Sequence, residues 1–272
     1  MEIILSNYEL IIFYSKFIIT GVLLGFLIGL TGVGGGVLLV PVLNVFFELD
    51  PATAVGTASI YVTLTKIYAC FEHVRIKNVA YKHSLYFMIG AIPTVLFAAG
   101  FINIFLESDQ TIISSEQFQD IMKNCIVVIV FLSVALMLLE LLGKPNFLKK
   151  NKEKKDRFGN IFAAGTFIGF IMGATGVGGG VLILPTFNFF STIDQKKIIG
   201  SSIFIALILS FITAIIYSKG GQMDIPTALG MSIGSMIGVP LATKVIKIIP
   251  VLLLKYIVLA LITFSAVLML YN

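Results

Sequence analysis

Apolar residues gather into ten segments along the chain, and short polar or charged stretches separate them. A helix that crosses a membrane needs about 20 mostly apolar residues, and eight of the segments come close to that length. The second and seventh segments are shorter, and each begins at a glycine cluster. The pattern predicts an all-α polytopic membrane protein with 8–10 spans, drawn from segments 10–30, 33–49, 52–71, 84–106, 121–142, 158–175, 177–190, 197–218, 226–247 and 250–271.

The stretch around the second segment occurs twice in the chain. Residues 25–46 align without a gap to residues 169–190, and 14 of the 22 positions are identical. Each copy contains the motif TGVGGG followed by a proline. The chain is therefore predicted to be a duplication, with a first transmembrane repeat over 1–143, a basic linker over 144–157 and a second transmembrane repeat over 158–272.

Lysine and arginine residues predict which loops face the cytoplasm. The linker 144–157 is the most basic stretch, and the loop after the third segment is also basic, so both are expected inside. The loop over 107–120 is poor in lysine and arginine and is expected outside. Each half has five segments, an odd number, so the second half enters from the opposite side and forms an inverted repeat. The two short segments can cross the membrane or fold back as re-entrant helices, because both arrangements have the same parity.

Composition agrees with the membrane assignment. The chain is 58% hydrophobic and 12% charged, with a mean hydropathy of +1.03, whereas soluble domains average about 25% charged residues. The net charge of +5 lies largely in the predicted cytoplasmic loops, so it indicates topology and not a nucleic-acid partner. Cys70 and Cys125 predict no disulfide framework. The expected partners are the lipid bilayer and a small anionic substrate, and a homo-oligomer is compatible with the sequence.

The glycine motif offers backbone groups that can bind an anion. Three consecutive glycines have no Cβ, so their N–H groups can turn into one concavity. The helix expected after each cluster adds unpaired N–H groups and the positive end of its dipole, which can hold an anion without a lysine. Two such helix starts from opposite halves would form one symmetric site, and a purely structural break is the alternative. The backbone candidates are Gly34, Gly35, Gly36, Val37, Gly178, Gly179, Gly180 and Val181.

Polar side chains near the motifs are further candidates for binding the anion. Hydroxyls and amides can donate to an oxyanion, although bonds to a neighbouring helix or to the carbonyl four residues earlier explain them equally well. A lysine inside a span is costly, so Lys66 either lines the anion path or snorkels from about five residues inside the predicted segment end. These candidates are Asn44, Asn188, Thr57, Ser59, Ser201, Ser202 and Lys66.

Other features of the sequence predict structure and not chemistry. Glycines spaced by four, such as Gly21, Gly25 and Gly29, let membrane helices pack closely. His73 and His83 flank a basic loop and are expected to be solvated. The sequence has no catalytic constellation, Cys–His cluster or nucleotide-binding motif, so we expect no enzyme activity, metal or cofactor.

The doubled motif resembles the sulfite exporter TauE/SafE family of membrane transporters, also called TSUP. The first copy reads Gly32–Gly36, Pro41 and Ala54–Thr57, and the second reads Gly176–Gly180, Pro185 and Ile198–Ser202. The resemblance covers nearly the whole chain through the duplication. It implies an inner-membrane carrier of sulfur-containing anions such as sulfite, thiosulfate and organosulfonates.

The leading hypothesis is a secondary transporter that moves such anions by alternating access between two inverted halves. An anion channel is a second hypothesis, and steady currents far above carrier rates would distinguish it. A third is a membrane scaffold that binds a partner through the basic linker 144–157. Import or export, the coupling ion and the sulfur anion itself stay open at this point.

Overall fold

The computed structural model describes residues 2–31, 36–107, 114–141, 156–177, 180–245 and 251–271. This part of the chain contains ten α-helices and no β-strand. The predicted all-α class is therefore confirmed. The helices are α1 Glu2–Thr31, α2 Gly36–Phe46, α3 Pro51–Arg75, α4 Tyr81–Glu107, α5 Ser115–Leu141, α6 Phe158–Thr175, α7 Ile183–Phe190, α8 Gln195–Lys219, α9 Ile225–Val245 and α10 Val251–Tyr271.

Within the described part of the chain, six helices are long and apolar enough to cross a membrane: α3, α4, α5, α6, α8 and α9. Large apolar side chains such as Tyr68, Phe97 and Met236 are exposed on these helices, as expected for surfaces that face lipid. The protein is a multi-pass membrane protein.

Helices α2 and α7 are too short to cross a bilayer. Helix α2 has 11 residues, about 16 Å at the usual rise, and α7 has 8 residues, about 12 Å, against a hydrocarbon core of about 30 Å. Every residue of α2 from Gly36 to Asn44 is buried. Helix α2 therefore lies inside the protein, packed against α3 and α10.

Two helix pairs are held together by glycines on one face. Helix α1 packs against α9, where Gly25 lies so close to Ser235 that an added Cβ would stand 2.6 Å from the Ser235 Cα. Helix α6 packs in the same way against α4, where a Cβ on Gly169 would stand 2.6 Å from the Ala91 Cα. The glycine spacing therefore serves close helix packing, as predicted.

These contacts repeat in register at the offset of 144 residues. Gly25 and Gly169 are matching positions, and so are Ala91 and Ser235. Each half therefore contributes the glycine helix to one pair and the helix that it packs against to the other pair. The loops after α3 and α8 also match. The Asn78 N–H donates to the His73 carbonyl at 2.8 Å, and the corresponding N–H of Gln222 donates to the Tyr217 carbonyl at 2.9 Å. Both loops turn through a left-handed residue, Lys77 in one and Gly221 in the other.

Candidate functional site

Gly36 of the first glycine motif and Gly176 of the second meet in the interior of the protein. Gly36, the first residue of α2, packs directly against the backbone carbonyl of Gly176, and no side chain fits between them. Gly176 ends α6 in a left-handed conformation with φ of 65°, and its N–H donates to the Met172 carbonyl at 2.9 Å. Only glycine takes this conformation without strain, which explains the glycine directly after Thr175 in the motif. The structure thus brings the start of α2 against the end of α6.

A small cleft opens beside this contact, and in this conformation it has room for about one water molecule. Residues from both repeats line it, and one of them is a lysine. The lining residues are Gly36, Ser59, Val62, Lys66, Met172, Gly176 and Ser210. The cleft therefore lies where the two halves of the chain meet.

Lys66 lies farther from the end of its helix than the apolar segment alone predicted. Helix α3 ends at Arg75 and not near residue 71, because its last turn is polar and continues beyond the apolar segment. Lys66 is nine residues before Arg75, about 14 Å along the helix. Among the described residues, no carboxylate lies within ion-pair distance of its ammonium group. Lys66 thus brings a cation to the cleft without a described protein counter-ion.

The two serines in the cleft already donate hydrogen bonds within their own helices. The Ser59 hydroxyl donates to the Val55 carbonyl at 2.8 Å, and the Ser210 hydroxyl donates to the Ala206 carbonyl at 2.7 Å. Thr63 lies 3.1 Å from Ser210 and links α3 to α8. Both serines therefore present oxygen lone pairs to the cleft, which leaves Lys66 as its strongest donor.

Thr57 and Ser201 instead join the two halves. The Asp224 N–H donates to the Thr57 hydroxyl at 2.9 Å, and the Ala80 N–H donates to the Ser201 hydroxyl at 2.9 Å. The residues of these two bonds match at the offset of 144. In this conformation both hydroxyls satisfy a backbone donor of the other repeat, and neither lines the cleft.

The other predicted site residues lie around the cleft without lining it. Ser202 donates to the Ile199 carbonyl at 2.8 Å, and Asn44 donates to the Leu49 carbonyl at 2.8 Å near the end of α2. Val37 is buried, and Asn188 is half-buried on α7. Gly34, Gly35, Gly178 and Gly179 lie outside the described residues.

The helix expected after the second glycine cluster begins two residues after Val181. Gly180, Val181 and Leu182 form a turn, and α7 begins at Ile183. The first bonds of this region are long, at 3.4 Å from Leu184 N–H to the Gly180 carbonyl. Pro185 lies in the first turn of α7, where its missing N–H leaves no helical bond unmade.

Four of the cleft residues were not among the candidates drawn from the sequence: Val62, Met172, Gly176 and Ser210. Two of them had a signal in the duplication, because Ser210 is the counterpart of Lys66 and Gly176 opens the second glycine motif. Val62 and Met172 are ordinary apolar residues within helices. Nothing in the sequence separates them from side chains that face lipid.

His83 is buried, so the expectation that it is solvated is wrong. It is 8% exposed, and its Nε2 lies 3.2 Å from Asp156 Oδ2. Asp156 also accepts bonds from the Thr192 N–H at 2.8 Å and the Thr192 hydroxyl at 2.9 Å. Burial raises the pKa of the Asp156 carboxyl, but the Thr192 bonds and the nearby His83 outweigh it, so the pKa lies below its usual value. This cluster ties α4 to the start of α6 and the loop before α8.

The model of the sulfite exporter TauE/SafE family matches residues 17–269 of the chain. The chain is 30% identical over 226 residues to the probable membrane transporter protein YjnA of Bacillus subtilis, covering 82% of this chain and 86% of that protein. It is 27% identical over 264 residues to a probable membrane transporter protein of Methanocaldococcus jannaschii, covering 89% and 91%. A probable membrane transporter protein of Haemophilus influenzae is 27% identical over 259 residues. No solved structure matches the chain.

Proposed function

Because the chain belongs to the sulfite exporter TauE/SafE family, we propose that it is a secondary transporter of small sulfur-containing anions across the cell membrane. The candidate substrates are sulfite, thiosulfate and sulfonates. Relatives over more than four fifths of the chain are named probable membrane transporter proteins, which supports the transporter class. The observation that carries the proposal is the cleft between the two glycine motifs, with Lys66 in its wall.

Alternating access between two inverted halves is the mechanism that we propose. The reciprocal glycine contacts support it, since α1 packs on α9 as α6 packs on α4, with matching residues in matching roles. A two-fold axis through the protein interior would relate the halves in this way. The short helices α2, which is largely buried, and α7, which is partly buried, fit discontinuous helices of the kind that line transporter sites.

Two cross-half contacts are suited to close the path at its two ends. Thr57 at the start of α3 binds the segment before α9, and Ser201 at the start of α8 binds the segment before α4. In the proposed topology these contacts lie near opposite faces of the membrane. Releasing one while keeping the other would expose the cleft to one side at a time.

The proposed substrate site comprises the cleft and the backbone of both motifs. The cleft contributes Gly36, Ser59 and Lys66, and the first turn of α2 adds Val37. The remaining motif positions stay part of the proposal as predicted from the sequence: Gly34, Gly35, Gly178, Gly179, Gly180 and Val181.

Counterflow into proteoliposomes tests the proposal. Purified protein is reconstituted, the vesicles are loaded with an unlabelled sulfonate, sulfite or thiosulfate, and uptake of the same labelled anion is followed. A carrier exchanges the two, so trapped anion should accelerate labelled uptake several-fold over empty vesicles. Uptake that is unaffected by trapped anion and carries a steady current would indicate a channel instead. Absence of uptake for the whole panel would contradict the proposed function.

A further inference from the structure

The charge of the cleft differs between the two halves of the duplication. Lys66 lies on α3, and the matching position on α8 is Ser210. Both residues line the cleft. A strictly symmetric duplication would have the same residue, lysine or serine, at both positions. This chain instead has a single ammonium group in a site to which both halves contribute.

The two helix ends in the cleft add little net charge. A helix start carries about half a positive charge and a helix end about half a negative charge. The start of α2 at Gly36 packs directly against the end of α6 at Gly176, so these partial charges lie side by side and largely cancel. The fixed charge of the described cleft is therefore close to the single positive charge of Lys66.

A single half-buried cation in a narrow cleft favours a singly charged partner. The cost of removing an ion from water rises with the square of its charge, whereas its attraction to one ammonium group rises only in proportion. A monoanion on Lys66 forms a neutral pair in the cleft. A dianion would leave one negative charge uncompensated, and the serine hydroxyls that could stabilise it already donate to Val55 and Ala206.

We propose that Lys66 makes the cleft selective for singly charged oxyanions, such as a sulfonate or hydrogen sulfite, over doubly charged ones, such as thiosulfate or sulfate. The inference rests on the proposed function and names the charge class of its substrate. It also assigns a specificity-determining role to the position of Ser210, where a second positive charge would change the preference.

Methanesulfonate and thiosulfate form a matched pair of probes, because both are tetrahedral and each has one non-oxygen substituent on its central sulfur. Uptake of each is measured in proteoliposomes at zero membrane potential, and binding is measured by thermal shift. The wild-type protein should prefer methanesulfonate at least tenfold in kcat/KM. Lys66→Ser should reduce uptake and binding of methanesulfonate at least tenfold, whereas Lys66→Arg should retain most of both.

Ser210→Lys provides the sharper test, because two ammonium groups should favour the dianion. The ratio of thiosulfate to methanesulfonate uptake should rise at least tenfold. The exchange of both residues, Lys66→Ser with Ser210→Lys, should restore the preference for the monoanion. If Ser210→Lys does not fold, Ser59→Lys places the second charge in the same cleft. Lys123→Ser, a lysine on α5 away from the cleft, is the control and should leave the ratio unchanged.

The outcomes separate the two proposals. Wild-type transport of either probe supports the proposed function, whatever its preference. A wild-type preference for thiosulfate, or a ratio unchanged by a second lysine in a folded variant, would overturn the charge selectivity alone. Transport of neither probe, nor of sulfite or sulfate, would contradict both.

Discussion

Single residues decide which polar groups of the protein interior remain available to a ligand. Sequence reasoning grouped Thr57, Ser59, Ser201 and Ser202 together, because each offers a hydroxyl near a glycine motif. The structure divides them by their partners: Thr57 and Ser201 accept bonds from the other half, and Ser202 bonds within its own helix. Ser59 alone of the four lines the cleft. The partner of each hydroxyl lies far away in sequence or on the same helix face, so residue type alone cannot predict it.

Asp156 offers a prediction about pH and stability. The pKa of its carboxyl is lower in the folded protein than in the unfolded chain. The carboxylate therefore stabilises the fold at pH values above the unfolded-chain pKa, and this stabilisation is lost as the pH falls through the pKa of the folded protein. Asp156→Asn weakens the bonds to Thr192 and the contact with His83, which should cost about 1 kcal/mol at neutral pH, since the carboxyl is partly exposed.

Thermal unfolding in detergent micelles checks this expectation. The difference between Asp156→Asn and the wild type should be clear at pH 7 and should shrink below about pH 4, where the carboxyl of the unfolded chain begins to take up its proton. Asp120→Asn, at an exposed position on α5, should have no comparable effect. A difference between Asp156→Asn and the wild type that does not change with pH would show that the carboxylate charge is not the cause.

The bounds of a helix were predicted well where the helix ends with its apolar segment. They were predicted less well where polar turns continue the helix beyond that segment. The bounds of α6 agree with the predicted segment, 158–175. Helices α3 and α5 run beyond their apolar segments, because polar residues continue the helix outside the hydrocarbon layer. The burial of His83 could not be predicted, because its partner Asp156 is 73 residues away, at the end of a basic linker.

Two glycines of α6, one packed against α4 and one not, allow a matched comparison of substitutions within one helix. Gly169 on α6 lies against the Ala91 backbone, whereas Gly159 on the same helix has nothing within 4 Å of an added Cβ. Gly169→Ala should force α4 and α6 apart and destabilise the protein by about 1–3 kcal/mol. Gly159→Ala should be neutral or slightly stabilising, because alanine favours the helix. Thermal unfolding of both purified variants measures the difference, and equal effects would contradict the packing role of Gly169.

Contacts between the two halves of the molecule repeat at matching positions, and this repetition supports the proposed inverted topology. Arg75 and Lys219 occupy matching positions at the ends of α3 and α8, and both are exposed. If the halves are inverted, these positions lie on opposite sides of the membrane. The repeat of the glycine motif was visible in the sequence, and its inverted parity stays a prediction. The register of the contacts between halves was not visible, because it depends on which glycine faces which helix.

Cysteine labelling tests the topology. In a chain without Cys70 and Cys125, Lys219→Cys should react with a membrane-impermeant maleimide in intact cells. Arg75→Cys should react only after the membrane is permeabilised. Labelling of both positions from the same side would exclude the inverted repeat and leave the reciprocal contacts without this explanation.

Substrate passage through the cleft is the central claim, and it is tested most directly by filling the cleft. Val62 lines the cleft on α3, whereas Leu64, two residues on, is 39% exposed on the outer surface of the same helix. The measurement is uptake of labelled methanesulfonate by proteoliposomes that contain equal amounts of folded Val62→Phe or Leu64→Phe protein. We predict that Val62→Phe lowers uptake at least tenfold and that Leu64→Phe transports like the wild type. Wild-type uptake by a folded Val62→Phe variant would contradict the account.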